Sequence, residues 1–244
     1  RVLSRIYLRD WEERAFRRVD FFSSPIPGDY DRLRERLPQL RARYTQLNYG
    51  SVEATIDVGP KSITGSNILV GNSADWANNH AEAFLSLRGV DLGSGKLVVP
   101  LSYGDPACRE AVIKLGSATF GDRFAPVLEL LPLEKYHELI ATCAVAVMNH
   151  VRQQALGNVE AMLFKGARVF VRPESPVYSF LRERGACIGD ASKIEGAGGS
   201  LFEPLTADER LRNRRVVESF WGQDVVLGNI AALGSLRRTG AARP

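Results

Sequence analysis

The chain is short of the residues that build metal centres and covalent staples, with three cysteines and three histidines among 244 residues. Cys108, Cys143 and Cys187 are odd in number, far apart and without a His or Cys at ligand spacing. That argues against a disulfide framework or a structural zinc and fits a reducing, cytoplasmic setting. No apolar run approaches the roughly 20 residues that span a bilayer, and no signal-peptide pattern is visible. What is present is the composition of a globular protein: 45% hydrophobic and 25% charged residues with a formal net charge of +4. Such a chain buries a substantial core as one large or two modest domains. Basic residues are dense over positions 1–43, at 210–215 and at 237–238. In the first stretch Asp10, Glu12, Glu13, Asp29, Asp31 and Glu35 are interleaved with them, which marks solvated helix faces and not a nucleic-acid surface.

The pattern along the chain reads as follows. Arg1–Val19 predicts an amphipathic helix, 19–24 a buried strand, 29–37 a helix and 44–49 a short strand. Residues 50–67 carry Gly, Pro, Ser and Thr without periodicity and read as a linker. Strands and helices then alternate: strand 68–71, helix 78–87, strand 96–101, helix 106–115, strand 125–131 and helix 133–142. Strand 143–148, a helix from near Gly157, strand 167–171 and helix 177–184 complete the series. Such alternation predicts an α/β fold with a Rossmann-like, doubly wound parallel sheet, in which ligands bind beyond the carboxyl ends of the strands. The chain opens on Arg1 inside a charged helical pattern, so it is expected to be a fragment whose amino-terminal part is absent.

The loops after these strands carry the polar residues. The first holds Gly71, Asn72, Ser73, Asn79 and His80, the second Tyr103 and Gly104. The most informative turn runs from Asn149 to Asn158, with His150, Arg152, Gln153, Gln154 and Gly157, between a strand and a helix. Free amides of a first helical turn and the helix dipole favour an anion there, and Arg152 adds a planar donor fork. An isolated Gly-Asn before a helix is an ordinary turn. Two amides, an imidazole and a guanidinium on the same turn are more than a turn needs. Asn78 and Asp105 read as helix caps, and His80 and His150 as either satisfied structural histidines or ligand contacts.

Several separate strings, Ile68-Leu69-Val70-Gly71-Asn72-Ser73, Asn78-Asn79-His80-Ala81-Glu82-Ala83, Val98-Val99-Pro100-Leu101-Ser102-Tyr103-Gly104 and Arg152-Gln153-Gln154 with Gly157, together resemble the TDP-N-acetylfucosamine:lipid II N-acetylfucosaminyltransferase family. The resemblance runs from about Val19 to Trp221. It implies a GT-B glycosyltransferase that moves 4-acetamido-4,6-dideoxygalactose from a TDP-sugar to a polyprenyl-diphosphate-linked saccharide. The setting it implies is bacterial surface-glycan synthesis, such as that of enterobacterial common antigen or lipopolysaccharide, at the cytoplasmic face of the inner membrane with peripheral membrane contact. Residues 1–49 would then be the last part of an acceptor lobe, 50–67 the linker, 68–215 the donor lobe, and 216–244 a crossover helix and tail. As a fragment it would bind donor and not transfer.

Many glycosyltransferases hold a metal on an Asp-x-Asp pair, and no such pair occurs in the loops of this chain. Arg152 and the amides at Gly157 are therefore expected to stabilise the departing diphosphate without metal or other cofactor. The resemblance implies retention of the anomeric configuration. His150, with Arg152 an expected catalytic residue, is expected with Gln153 and Gln154 to position sugar hydroxyls, the acetamido group or phosphate, while Tyr103 is expected to line the site and Leu131 or Pro132 to bound the thymine. Glu160 stands where other glycosyltransferase families carry a ribose-binding glutamate, and its role here is open. The alternatives are a sugar-nucleotide epimerase of the same architecture or a non-catalytic nucleotide-binding lobe.

Overall fold

The computed structural model describes residues 14–48, 50–196 and 201–238. The chain divides into two compact units, Ser51–Gly222 and, separately, Arg1–Gly50 with Gln223–Pro244. In the smaller unit β1 (Phe21–Ser24) and β2 (Arg43–Gln46) pair in parallel around α1 (Gly28–Arg36). The Tyr30 hydroxyl donates to the Ala42 carbonyl at 2.6 Å and its ring packs on Tyr44, which locks helix to strand. Asp29 and Asp31 form an Asp-x-Asp pair, but both lie in the first turn of α1, where acids complement the helix dipole. Most of the helix expected over Arg1–Val19 lies outside the described residues.

The larger unit is built on six parallel strands: β3 (Asn67–Val70), β4 (Leu97–Pro100), β5 (Phe124–Val127), β6 (Cys143–Met148), β7 (Arg168–Val171) and β8 (Gly189–Asp190). Their order across the sheet is β5-β4-β3-β6-β7-β8. The helices of this unit are α2 (His80–Leu87), α3 (Pro106–Phe120), α4 (Leu133–Ala141), α5 (Leu156–Lys165), α6 (Pro176–Glu183) and α7 (Ala207–Trp221); α8 (Gln223–Arg238) belongs to the smaller unit. Ile68, Val70, Leu97, Val99, Val145 and Val147 are buried, and with Phe84 and Leu87 of α2 they form the core. Strands covered on both faces carry unbroken apolar runs instead of alternation, and β6 shows this in the run Cys143-Ala144-Val145-Ala146-Val147-Met148. The order of strands reverses between β3 and β6. Each is the start of a series that winds in opposite directions, so their carboxyl ends splay a crevice at the sheet's switch point.

Several expectations are corrected. The apolar run 125–131 is strand only as far as Val127; beyond it Leu128 and Leu130 are exposed, Leu130 by 81%. Helix 106–115 continues to Phe120, because Phe120 and Phe124 both pack edge-on against Phe84 and carry the chain on to β5. The helix expected from Asn78 begins at His80, with Trp76–Asn78 as a separate 3-10 turn. Within 50–67, Val52–Ile56 forms a π-helical turn capped by the Ser51 side chain. The carbonyls of Val58 and Pro60 in that segment accept from the Lys165 ammonium. Helix α7 starts with a capping box between Thr206 and Glu209.

Candidate functional site

Two loops face each other across the β3/β6 crevice, residues 71–79 after β3 and 149–155 after β6. Side-chain hydrogen bonds stitch them together. Asn79 Nδ2 donates to the Asn149 carbonyl at 2.9 Å and Asn149 Nδ2 returns to the Asn79 carbonyl at 3.3 Å. Gln154 Nε2 donates to Asn72 Oδ1 at 3.1 Å, and Asn72 Nδ2 donates onward to the Tyr103 hydroxyl at 2.9 Å. These three side chains make a polar rail from the β6 loop to the β4 loop.

Arg152 does not stand free. Its guanidinium donates to Asp75 Oδ2 at 2.7 Å, while the other carboxylate oxygen of Asp75 caps the Trp76–Asn78 turn. A second pair lies beside it: Arg172, the first residue beyond β7, contacts Glu82 of α2 and also Glu174 at 3.2 Å. Glu82 accepts from Asn149 Nδ2 as well, at 3.2 Å. Both arginines at this edge thus already face carboxylates. Asp75, Glu82 and Arg172 were missed as site residues. Arg172 was findable, because a charged residue directly after a parallel strand occupies the ligand edge.

The histidines lie beneath these loops. His150 is fully buried and His80 is 3% exposed. Burial draws both imidazoles down to about 4; the Arg152 charge adds to the effect at His150, and Asp75 opposes it at His80. Both rings are therefore neutral near pH 7. Neither nitrogen of His150 completes a hydrogen bond among the described residues, although the Gln154 backbone lies near enough to oppose its shift. His80 Nε2 is likewise unpartnered and faces Gly71. Gly71 has φ +65°, and a Cβ there would stand 2.8 Å from that nitrogen. Ser73 is buried, with its hydroxyl accepting from Asn78 Nδ2 at 3.3 Å. Asn78 is a loop brace instead of a helix cap, whereas Asp105 caps α3 through Cys108 N at 2.9 Å. Gly104, at φ +119°, lets the β4 loop lie against the β3 loop: a Cβ would meet the Ala74 carbonyl at 2.3 Å.

Helix α5 starts at this crevice from Ala155, which is left-handed (φ 56°) and offers no side-chain cap. Gly157 is consequently the second helical residue and not the residue before the helix, and Asn158 is the third. The first-turn amides of Leu156, Gly157 and Asn158 precede the first intrahelical bond, which Val159 N makes to Ala155 O at 3.0 Å. Asn158 hydrogen-bonds the Tyr136 hydroxyl, whose ionisation burial pushes upward. Helix α2 also starts from a left-handed residue, Asn79 (φ 50°). Non-glycine residues rarely adopt this conformation, and such positions cluster at functional sites. Among the described residues no three His, Cys, Asp or Glu side chains gather as metal ligands, and no helix is long and apolar enough to cross a membrane.

The fold is that of GT-B glycosyltransferases. Sucrose-phosphate synthase from Thermosynechococcus elongatus superposes with a TM-score of 0.72 at 14% identity over 94% of this chain and 61% of that one. The UDP-forming trehalose-phosphate synthase from Burkholderia vietnamiensis gives 0.70 at 10% identity over 96% and 64%. The pneumococcal O-GlcNAc transferase GtfA, solved with UDP and GlcNAc, gives 0.62 at 12% identity over 93% and 47%. This chain thus spans less than two thirds of each. The sequence model of the 4-alpha-L-fucosyltransferases, glycosyl transferase group 56, matches residues 32–187, more than half of the chain, and to that family the chain belongs.

Proposed function

We propose that this chain supplies the donor-binding lobe of an enzyme that moves 4-acetamido-4,6-dideoxygalactose (N-acetylfucosamine) from a TDP-sugar to a polyprenyl-diphosphate-linked saccharide. The setting is bacterial surface-glycan synthesis at the cytoplasmic face of the inner membrane. Residues 68–215 hold the donor, 1–49 contribute to the acceptor lobe and 216–244 return toward it. The observation that carries the reading is the uncapped start of α5 at the switch-point crevice, with Arg152 on the loop that leads into it.

Transfer requires the nucleotide diphosphate to leave while positive charge grows on the sugar. Because the buried imidazoles are neutral near pH 7, stabilising the leaving dianion falls to Arg152 and the first-turn amides of α5. The diphosphate exchanges with the Asp75 carboxylate as partner of Arg152, so a protein anion holds the guanidinium in place until the ligand takes it over. Asn72, Tyr103, Gln153 and Gln154 address hydroxyl and acetamido groups of the sugar. Gly71 and Gly104 keep the loop backbones low enough for a ligand, and His150, Ser73, Asn79 and His80 support the loops from below. No protein base is needed if the configuration is retained.

The test is a calorimetric titration of TDP and UDP, and of their sugars, with a chelator present throughout. Binding of TDP without divalent cation, tighter than UDP, is expected. Binding restored only by added metal would remove the metal-independent account, and equal affinity for both nucleotides would remove the TDP assignment.

A further inference from the structure

We infer that a second anion site, shaped for a phosphate group, lies at the carboxyl-terminal end of α5, independent of the donor crevice. A cavity of about 240 Å3 opens there, walled by Lys61, Lys165, Arg210 and Arg214 with Ser62 between them, and no carboxylate lines it.

Three of the four cations are anchored, and Lys61 stands exposed at the rim. The Lys165 side chain is buried, and its ammonium donates to the carbonyls of Val58 at 3.0 Å and Pro60 at 2.6 Å. Arg214 lies over the Phe164 ring, 4.5 Å from its centroid, and donates to the Phe164 carbonyl at 3.3 Å and the Lys61 carbonyl at 3.5 Å. Arg210 donates to the Leu205 carbonyl and crosses the helix end at Gly166, where a Cβ would come within 2.7 Å of its Cδ. Gly166 is left-handed at φ +87° and closes α5, so one glycine both ends the helix and leaves room for the guanidinium.

Charge accounting then points to a ligand. The end of a helix presents about half a negative charge, and the carbonyl partners are neutral dipoles. Among the described residues Lys61 alone of the four has a carboxylate at ion-pair distance, Asp57 at 2.5 Å, and Asp57 is not part of the wall. The remaining three cations exceed what the helix end compensates; burial and the neighbouring Lys61 charge lower the Lys165 pKa, and Asp57, outside the wall, offsets this only in part. A phosphate group fits this arrangement: it is compact, it offers acceptors in several directions, and it suits guanidinium forks and an ammonium together. Its source is either a lipid headgroup, with half-exposed Leu211 on the rim to touch acyl chains, or a soluble phosphate.

The test uses the full chain and two probes: orthophosphate, followed by phosphorus NMR line broadening, and vesicles of phosphatidylcholine with or without phosphatidylglycerol, followed by flotation. The comparison is wild type against Lys61→Gln with Arg210→Gln, which leaves the buried Lys165 and stacked Arg214 untouched. Binding to at least one probe is expected, weakened roughly fivefold per charge removed. Loss on vesicles alone identifies a lipid headgroup, and loss on both probes a phosphate site open to soluble ligands. Binding of both probes undiminished in a variant of unchanged melting temperature overturns the site, as does absence of binding in the wild type. If the double variant unfolds, Lys61→Gln alone, at an exposed side chain, must show the same direction with a smaller effect. TDP affinity should be the same in all of these proteins, so failure here leaves the donor reading standing and failure there leaves this one.

Discussion

At its amino-terminal end α5 meets a crevice in which Arg152 and Arg172 face Asp75 and Glu82; at its carboxyl-terminal end it meets a cavity walled by four cations and no carboxylate. The two ends differ because the helix itself is polar. The amino-terminal end carries about half a positive charge and free amides, so an additional unpaired arginine there would face like charge whenever no ligand is bound. The carboxyl-terminal end presents carbonyl oxygens, which tolerate clustered cations, and Arg214 donates to one of them, that of Phe164. An anion site can thus be prepared in two ways, with a resident carboxylate to be exchanged or with cations anchored on carbonyls.

The contrast breaks first at Arg152. In the complete enzyme Arg152→Ala should lower turnover about a hundredfold to a thousandfold, the usual effect of removing one donor to a developing charge. Substrate affinity should change much less, because charge on the leaving group grows toward the transition state. Lysine should rescue in part, since it keeps the charge and loses the planar fork. Steady-state kinetics at matched melting temperature decide. An alanine variant within a few-fold of wild type would make the Arg152–Asp75 pair a surface ornament.

Acid should loosen both ends. His80, His137 and His150 are each drawn from 6.5 to about 4, burial being the main cause. A folded-state pKa below the unfolded one means that the unfolded chain binds more protons across that interval. The contribution is therefore complete above pH 6.5 and drains away as pH falls toward 4, at up to about 1.4 kcal/mol per pH unit for each histidine. Urea denaturation between pH 7.5 and 5 measures the slope. A flat profile would mean that the imidazoles accept protons within the fold.

A similar share of stability is expected from one residue at the cationic end. Lys165→Met removes the donor for two inward carbonyls and should cost about 2 kcal/mol, as when a charged hydrogen-bonding group is withdrawn from neutral partners. An unchanged melting temperature would show that water replaces the ammonium there. The smallest expected effect sharpens the other end. Asp75→Asn keeps a side-chain oxygen for the Trp76–Asn78 turn while releasing Arg152, and half-exposed ion pairs are worth at most about 1 kcal/mol. TDP should bind up to about fivefold tighter by calorimetry. Weaker binding would show that Asp75 holds Arg152 for the ligand more than it competes with it.

The sheet was legible because burial on both faces leaves an unmistakable trace: 143–148 was read to the residue, and 68–71 and 96–101 to within one residue at each end. The same logic misled at 125–131, where Leu128 and Leu130 belong to an exposed loop although their composition looks buried. Strand β8 has two residues and no periodicity to detect. Helix α7 was hidden because Arg210, Arg212, Arg214 and Arg215 dominate its composition, although the Thr206 and Glu209 capping box could have announced it. The turn before α5 and the loops after β3 and β4, singled out by their residue types, are joined by hydrogen bonds in the structure. The ion pairs were not legible, since Arg152 is 77 residues from Asp75 and Arg172 is 90 from Glu82, distances over which sequence pattern says nothing about who meets whom.

Helices α3, α6 and α7 begin on Asp105, Ser175 and Thr206, whose side chains cap the first turn. Helix α5 begins on Ala155, which has no side chain with which to do so. A side-chain cap is worth about 1 kcal/mol to a helix, so the first turn of α5 forgoes a stabilisation that three other helices of the same unit receive. An anion seated there would itself be the missing cap. Part of its affinity would then be helix-forming energy, and the first turn of α5 would become firmest at the moment the substrate arrives.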